Sequence, residues 1–367
     1  MNIFELAKRS YEEDQKNRQK LVLSNIDEDT SEATTPETNS NTTREATVIV
    51  CGSENCGKST LIARFLDSRS ISNNEGTSNG TIGMEYAYAT KTRSNIKDLA
   101  HIWELGGGGS LANLLEVVLT EDNIGSTSIL LFLDLTKPET FQSVVEPILD
   151  VLRRRVDQIL AQISTQQSAL HDSLVKNCKT KWQTHQDNHV VKPLAIPIAI
   201  LAAKYDQFQN FDTEKKRTIY KLVRFIAHVN GALLQSQSSS VEGLMTHSRS
   251  LLSHHAFGSA LNKGTAAVDV HNPVFVPVAG DSLQNIELVT GVSSYNDAMT
   301  QCYFQLNENF AQQKTENTDE DSVMDKQFAE PLVDSVVEQK TRALELHIKE
   351  RRDRQNAQER AKHRLLA

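Results

Sequence analysis

The sequence predicts an α/β fold in which a mostly parallel sheet carries a phosphate-binding loop. Apolar, β-branched stretches alternate with helical patterns from residue 46 onwards, which is typical of a parallel sheet covered by helices on both faces. The first apolar stretch, Thr47–Cys51, runs directly into Gly52-Ser-Glu-Asn-Cys-Gly-Lys-Ser59. This run fits the pattern G-x-x-x-x-G-K-[ST], in which a strand, a glycine-rich loop and a helix cradle phosphate groups.

Each part of this loop has an expected chemical role. The glycines let successive backbone N–H groups turn towards phosphate oxygens, and the following helix adds its positive N-terminal end. Lys58 is expected on the β- and γ-phosphates and Ser59 on Mg²⁺. The predicted nucleotide contacts of the loop are Gly52, Ser53, Glu54, Asn55, Cys56, Gly57, Lys58, Ser59 and Thr60. The alternative is a tight strand-to-helix turn that binds no ligand.

Two further segments indicate that the predicted nucleotide-binding protein is a relative of small GTP-binding proteins. His101-Ile-Trp-Glu104-Leu-Gly-Gly107 is similar to W-D-x-x-G, whose acidic residue holds a Mg²⁺-bound water and whose glycine N–H meets the γ-phosphate. Thr81-Ile-Gly-Met-Glu-Tyr86 is similar to a switch segment of Rab-type GTPases, in which the threonine hydroxyl caps the metal. We therefore expect Ser59 and Thr81 to hold Mg²⁺ and Gly107 to contact the nucleotide.

A third segment predicts a weak preference for guanine. Residues 196–203 form an apolar strand that leads into Ala203-Lys204-Tyr-Asp206, a degraded form of the base-reading motif N-K-x-D. Lys204 and Asp206 are retained, and Asp206 can still accept hydrogens from the base, whereas Ala203 replaces the asparagine. Ser236 is the candidate for a second base contact. The expected cofactor is GTP or GDP with Mg²⁺.

The glycine run predicts slow or absent GTP hydrolysis. The residue that orients the attacking water normally follows the switch glycine, and here that residue is Gly108. The run Gly106–Gly109 offers no side chain to align water, and four glycines raise the entropic cost of ordering the loop. Because Glu104 also replaces the usual aspartate, we expect no catalytic residue in this chain.

Composition excludes several classes of function. A chain of 367 residues can hold one large domain with extensions. Its formal net charge of −8 opposes nucleic-acid binding, so we expect protein partners. The four cysteines are scattered and indicate neither a zinc site nor a disulfide framework. His185 and His189 lie in a polar stretch and are interpreted as solvated side chains rather than metal ligands.

The longest apolar run and the start of the chain indicate a cytoplasmic protein without membrane insertion. The run, residues 194–203, is far shorter than the roughly 20 residues that cross a bilayer, and no charged-then-apolar leader opens the chain.

The elements follow from the spacing of apolar residues. Residues 1–45 are expected to form a short amphipathic helix and a flexible linker, residues 46–290 the α/β domain, and residues 291–367 an acidic linker and a C-terminal helix. Continuous apolar runs predict strands at 46–51, 84–90, 99–105, 128–135, 196–203 and 231–236. Three- and four-residue spacing predicts helices at 58–67, 110–120, 138–170, 212–229 and 241–252. Prolines confine a further strand within 273–279 to a sheet edge.

The helix expected at 138–170 is unusually long, and the span from Leu135 to Pro193 exceeds what a compact domain needs. We expect its apolar stripe to pack on the sheet. The excess chain is a candidate extension towards a partner.

These motifs together resemble the light intermediate chains of cytoplasmic dynein, in particular those of cytoplasmic dynein 2. The resemblance covers most of residues 46–282 and includes Leu130-Leu-Phe-Leu-Asp-Leu-Thr-Lys-Pro138, downstream of the W-E-L-G-G-G segment. It implies a Ras-like P-loop G domain that serves as a noncatalytic scaffold, binding and stabilising the dynein heavy chain for retrograde intraflagellar transport and cilium assembly.

The resemblance also implies partners and a location. The implied partners are the cytoplasmic dynein 2 heavy chain, other dynein 2 subunits and intraflagellar transport particles, and the implied location is the cytoplasm, cilium, basal body and cytoskeleton. The alternative is a divergent Rab-like GTPase that acts as a switch. Two residues argue against it, because Gly108 has no side chain to orient water and Ala203 replaces the base-reading asparagine. A P-loop ATPase or kinase is a third reading, and it would need lid arginines that the sequence does not mark.

Overall fold

The computed structural model describes residues 44–66, 80–93, 96–166, 168–261 and 266–287, together with Phe304 and seven helical residues between 335 and 349. The chain divides into two compact units, residues 1–310 and 311–367. The expected N-terminal helix and linker and the acidic linker lie outside the described residues. The domain boundary expected at residue 290 therefore stays a prediction.

A seven-stranded sheet forms the centre of the first unit, with the strand order β2-β3-β1-β4-β5-β6-β7. The strands are β1 (Glu45–Gly52), β2 (Met84–Arg93), β3 (Ile96–Leu105), β4 (Thr127–Asp134), β5 (Ile198–Ala203), β6 (Leu233–Ser236) and β7 (Phe275–Val276). Strands β1, β3, β4, β5 and β6 are parallel, whereas β2 and β7 are antiparallel edge strands. This mostly parallel, Ras-like arrangement confirms the predicted fold class, including the proline-flanked edge strand.

Eight α-helices connect or flank the described strands. They are α1 (Lys58–Leu66), α2 (Leu115–Val118), α3 (Phe141–Gln166), α4 (Ser168–Thr180), α5 (Tyr205–Phe208), α6 (Thr213–Val229), α7 (Glu242–Phe257) and α8 (Leu283–Ile286). Asp212 caps α6 by accepting a hydrogen bond from the Glu214 backbone N–H at 3.1 Å. Gly258 ends α7 in the left-handed conformation, as is common at helix C-termini.

The central strands are buried on both faces, which explains their unbroken apolar sequence. Alternate residues belong to two separate hydrophobic clusters, with Ile49 and Leu131 in the larger cluster and Val48 and Leu130 in the smaller one. Helices α3 and α6 contribute to the larger cluster, and α1 and α7 to the smaller one. The sheet is therefore a rigid central layer that fixes the loops at its ends.

The helix predicted at 110–120 is much shorter than expected. A 3₁₀ turn occupies residues 112–114, and α2 ends at Val118 because Leu119 is extended. The Asn123 side chain stabilises this ending, since its Nδ2 donates to the Val118 carbonyl at 2.8 Å and its Oδ1 accepts from the Thr120 N–H at 2.9 Å. Local side-chain bonds thus compete with the helix here.

The helix predicted at 138–170 begins at Phe141, after a 3₁₀ turn at 138–140, and the described helical residues are 141–166 (α3) and 168–180 (α4). The excess chain before Pro193 is folded against the domain: Leu170, Leu174, Val190 and Leu194 belong to the larger cluster, and Trp182 is buried. The apolar residues of this segment therefore serve the core of the domain itself. Among the described residues, no helix is long and apolar enough to cross a bilayer.

Candidate functional site

The predicted phosphate loop lies at the carboxyl end of β1, where the sheet forces the backbone into a tight turn. Gly52 has a φ of +114°, and a Cβ atom there would lie 2.1 Å from the Phe132 carbonyl oxygen of neighbouring β4. The Ser53 N–H donates to that same oxygen at 2.8 Å. A side chain at position 52 would break this contact, so the first glycine of the motif is required by the fold itself.

Lys58 points back into its own loop. Its Nζ donates to the Ser53 carbonyl at 2.8 Å and to the Gly52 carbonyl at 3.3 Å, and the side chain is buried. The Cys56 thiol also donates to the Ser53 carbonyl, at 2.7 Å, and burial raises the pKa of that thiol to about 12. Cys56 is therefore a neutral packing residue, whereas Lys58 holds a positive charge at the centre of the loop.

The two residues predicted to hold Mg²⁺ lie beside Glu104. The Ser59 hydroxyl donates to Glu104 Oε1 at 2.7 Å. Burial raises the pKa of Glu104, and the Ser59 hydroxyl, the charge of Lys58 and the Thr81 hydroxyl partly oppose this rise. The Thr81 Oγ1 atom is buried and has no hydrogen-bond partner of normal geometry among the described residues. Two hydroxyls and a carboxylate are hard oxygen donors, which suit Mg²⁺.

The glycine run packs tightly on the switch segment. The Gly106 N–H donates to the Gly83 carbonyl at 2.7 Å, and a Cβ atom at Gly106 would lie 1.9 Å from the Thr81 carbonyl oxygen. Gly107 and Gly108 both have positive φ, +65° and +56°. The run therefore packs directly on the segment that contains Thr81 and Gly83.

Glu54 faces the position that lacks a water-orienting side chain. A Cβ atom at Gly108 would lie 3.7 Å from Glu54 Oε1, so the exposed Glu54 carboxylate spans the gap between the phosphate loop and the glycine run. This geometry places a negative charge next to the edge of the cradle, where a γ-phosphate would add further negative charge.

The base-reading residues are brought together, with one correction. Asp206 Oδ1 accepts from the Ser238 hydroxyl at 2.6 Å, and Lys204 Nζ lies 2.7 Å from Asp134 Oδ2. Ser236 was the predicted second contact, and this prediction is wrong: its hydroxyl accepts from the Val274 N–H at 2.9 Å inside the sheet. Strand β6 ends at Ser236, as predicted, and the loop after it brings Ser238 to Asp206.

The loop that follows β6 lies directly against the phosphate loop. A Cβ atom at Gly57 would meet Ser239 Oγ at 2.6 Å and Gln237 Nε2 at 3.7 Å. Gln237 is fully buried, yet neither polar atom of its side chain has a hydrogen-bond partner among the described residues. An unpaired buried amide is costly. Together with Thr81 Oγ1, it is consistent with a cradle whose polar groups are completed by a polar ligand.

The structure therefore gathers the predicted residues at one end of the sheet. The loop supplies Gly52, Ser53, Glu54, Asn55, Cys56 and Gly57, the start of α1 supplies Lys58, Ser59 and Thr60, and three other segments supply Thr81, Gly107, Lys204 and Asp206. Asn55 is exposed and left-handed, with a φ of +51°. Sequence reasoning missed Ser238 and Gln237, although the run Ser238–Ser240 shortly after a strand was a visible signal.

A second polar cluster lies in the segment that connects α4 to β5, and it corrects the interpretation of His185. Its side chain lies with Asp187 and His228, whose ligand-type atoms all fall within 4.8 Å of one another, whereas His189 is exposed. His228 Nε2 lies 2.9 Å from Asp187 Oδ2. Burial lowers the pKa of His228, which keeps the ring neutral near neutral pH. The spacing from residue 185 to residue 228 hid this cluster from sequence analysis.

Comparison with known proteins agrees with the resemblance of the motifs. A family model described as dynein light intermediate chain matches residues 17–193. A cytoplasmic dynein 2 light intermediate chain 1 from Danio rerio is 33% identical over 317 residues, which cover 83% of this chain and 86% of the relative. The mouse protein of the same name, from Mus musculus, is 36% identical over 245 residues, covering 66% and 68%.

Among solved structures, the conserved domain of a dynein light intermediate chain aligns at 16% identity with a TM-score of 0.48, covering 72% of this chain and 91% of that chain. The sequence similarity is the stronger finding, because it extends over most of the Danio rerio relative at 33% identity. On that basis, the chain belongs to the dynein light intermediate chain family.

Proposed function

We propose that this protein is a noncatalytic light intermediate chain of cytoplasmic dynein 2 that binds and stabilises the heavy chain for retrograde intraflagellar transport and cilium assembly. The observation that carries the proposal is the 33–36% identity to relatives named cytoplasmic dynein 2 light intermediate chain 1. The proposed partners are the heavy chain, other dynein 2 subunits and intraflagellar transport particles. The proposed location is the cytoplasm, the cytoskeleton, the cilium and the basal body.

The geometry of the cradle supports a noncatalytic role. Position 108 has no side chain to orient water, and the nearest carboxylate, Glu54, adds negative charge where negative charge would develop. Catalysis of phosphoryl transfer depends on positioning and on positive charge at this point. We therefore propose that GTP turnover stays near the slow intrinsic rate of about 10⁻⁴ s⁻¹.

The same cradle supports binding of GDP or GTP with Mg²⁺ as a structural ligand. Lys58 would meet the phosphates, Ser59, Thr81 and Glu104 would hold Mg²⁺ directly or through water, and Asp206 with Ser238 would contact the base. A bound nucleotide would supply partners for the unpaired Gln237 amide or for the water around it. The nucleotide would then brace the loops at one end of the sheet.

One observation favours the alternative, a divergent Rab-like GTPase switch. Ser59, Glu104 and Thr81 converge as a switch requires, because a metal that contacts Thr81 could order the switch segment only when the γ-phosphate is present. A switch and a scaffold differ in one measurable respect. A switch binds its partner in one nucleotide state, whereas a scaffold binds in all of them.

The test is affinity purification of the tagged full-length chain from ciliated cells, with the wild type and Lys58→Ala compared in GDP and in a non-hydrolysable GTP analogue. We expect the dynein 2 heavy chain in all samples of the wild type, at similar yield in both nucleotides. Lys58→Ala should lose nucleotide while retaining heavy chain if it stays folded, as circular dichroism would show. Absence of the heavy chain contradicts the scaffold proposal, and recovery in GTP alone supports the switch.

A further inference from the structure

The cluster at His185, Asp187 and His228 brings together two segments of the chain that are distant in sequence. His185 and Asp187 lie in the connection between α4 and β5, and His228 lies in the last turn of α6. The Asp187 N–H donates to His185 Nδ1 at 3.2 Å, so this nitrogen carries a lone pair and the proton of the neutral ring is on Nε2. That Nε2–H donates to the Asp281 carbonyl at 3.0 Å.

The ligand-type atoms are spaced as a small coordination sphere requires. Asp187 Oδ2 lies 2.9 Å from His228 Nε2 and 3.8 Å from His185 Nδ1. Ligands bonded to a tetrahedral Zn²⁺ at about 2.0–2.1 Å are roughly 3.3 Å apart. All three atoms lie within 4.8 Å of one another, so side-chain shifts of up to about 1.5 Å bring them to the separation that one zinc ion needs.

The groups around the cluster orient it as outer-shell groups orient metal ligands. Histidine ligands commonly donate their second ring N–H to a backbone carbonyl, as His185 does to Asp281. The Asp187 carboxylate is held by the Leu283 N–H at 2.9 Å. Asp281 is fixed in turn by a bidentate pair with Arg224, at 2.7 and 2.8 Å. The carbonyl that orients His185 is therefore itself anchored.

The aromatic surroundings limit where the rings can move. The Trp182 ring lies edge-on to both imidazoles, with centroid distances of 5.0 Å to His185 and 5.4 Å to His228. Asp187 and His228 are buried, whereas the His185 side chain is 15% exposed and gives access from solvent. An apolar wall behind two imidazoles and one carboxylate is typical of a site that excludes bulk water but admits an ion.

We infer that His185 Nδ1, Asp187 Oδ2 and His228 Nε2 form a binding site for a divalent transition-metal ion, with Zn²⁺ as the expected occupant and water as the fourth ligand. Two imidazoles and a carboxylate favour zinc over Mg²⁺, which prefers oxygen donors, so this site is chemically distinct from the Ser59 site. Binding requires the neutral His228 ring to carry its proton on Nδ1, which frees Nε2 for the metal. It also requires His185 Nδ1 to exchange its bond from the Asp187 N–H for the metal. The bound ion would join the α4–β5 connection to α6.

The experiment uses the full-length chain, stripped with EDTA, dialysed, and titrated with Zn²⁺ against a competing chelating dye in millimolar Mg²⁺. We expect one equivalent to bind with a Kd of about 1 µM or tighter, and Co²⁺ to give the intense visible bands of a four-coordinate ion. Zn²⁺ at 100 times its Kd should also stabilise the fold measurably, as ligand linkage requires.

Matched variants separate the site from adventitious binding. His185→Gln removes a partly exposed ligand, and Asp187→Asn keeps an oxygen that can accept from Leu283 N–H and His228. Both should weaken Zn²⁺ binding at least tenfold. His189→Gln, an exposed histidine in the same connection, should bind like the wild type. Circular dichroism without metal verifies that each variant is folded. If Asp187→Asn does not fold, the comparison of His185→Gln with the wild type decides the test.

The inference fails if Zn²⁺ binds no tighter than about 100 µM. It also fails if folded His185→Gln binds as the wild type does, or if His189→Gln loses as much affinity as the cluster variants. In each of these cases the three side chains are a hydrogen-bonded clasp, in which the His228 Nε2–H donates to Asp187.

Discussion

At the scale of single residues, the cradle departs from a hydrolytic site through charge as much as through missing groups. Glu54 lies on the phosphate loop and faces Gly108, while Glu104 is buried beside Ser59. One carboxylate is exposed and one is buried, so they act differently. Glu54 can repel a terminal phosphate. Burial disfavours the ionised form of Glu104 unless a nearby cation stabilises its negative charge.

The Glu54 geometry predicts a preference for the diphosphate, on the proposal that this loop binds nucleotide. We expect Glu54→Gln to strengthen binding of a non-hydrolysable GTP analogue relative to GDP by up to about fivefold, because an exposed charge contributes roughly 1 kcal/mol or less. Isothermal titration of both nucleotides with both proteins measures the ratio. Glu139→Gln, which alters another exposed carboxylate, is the control. An unchanged ratio in Glu54→Gln would show that its carboxylate does not sense the γ-phosphate.

The Glu104 pKa predicts a pH-dependent stability. Burial raises this pKa above its usual 4.5, so the folded state prefers the neutral acid. The resulting contribution to stability is present below pH 4.5 and is lost as the pH rises through the raised value. Glu104→Gln keeps an oxygen for the Ser59 hydroxyl and removes the charge. We therefore expect its free energy of unfolding in Mg²⁺-free buffer to exceed that of the wild type at pH 7, with a smaller difference at pH 5.

Urea denaturation at the two pH values measures this difference. Glu139→Gln should change stability by less than about 0.5 kcal/mol at either pH, because it alters an exposed side chain. A variant that is less stable than the wild type at pH 7 would mean that the Glu104 charge is compensated in the folded state.

At the scale of elements, α6 connects the core to the C-terminal part of the domain. Its apolar face includes Ile219, Val223 and Ile226 of the larger cluster. Its polar contacts reach Asp281 through Arg224 and Asp187 through His228. The helix therefore holds both the α4–β5 connection and the residues that begin α8.

The Arg224–Asp281 pair predicts a large effect of breaking it. Both side chains are buried, at 9% and 5% exposure. Arg224→Met leaves the Asp281 carboxylate without its charged partner, and breaking a buried pair in this way costs about 3–5 kcal/mol. Arg217→Met removes the exposed pair with Glu214 on the same helix and should cost about 0.5 kcal/mol or less. Chemical denaturation of the two variants measures the contrast, and equal effects would show that the Arg224 pair is not buried in solution.

At the scale of the whole molecule, the sequence predicted the features that depend on a local pattern of residues, namely the buried strands, the phosphate loop and the fold class. Strands such as β1 and β5 are continuous apolar runs between covering helices, so their burial is visible in the sequence. The phosphate loop is contiguous, and its glycines are required by contacts such as that of Gly52 with Phe132. The fold class and the position of the cradle follow from these local signals.

What the sequence could not predict depends on tertiary packing. His185 and His228 meet only because the α4–β5 connection folds back on α6. Ser238 rather than Ser236 lies beside Asp206 because the Ser236 hydroxyl is bonded to Val274 inside the sheet, and the path of the loop after β6 is set by tertiary contacts. The shortness of α2 likewise reflects side-chain bonds, those of Asn123, that periodicity does not record.

The strand order also affects how the chain is synthesised. β1 is the third strand of the sheet, and its two neighbours are β3 and β4, so residues 45–52 cannot complete their pairing until residue 134 has emerged. At about 5–20 residues per second, β1 waits several seconds on the ribosome before both of its edges are covered. Nascent-chain chaperones that recognise apolar segments therefore have their earliest opportunity at this strand, before any nucleotide cradle exists.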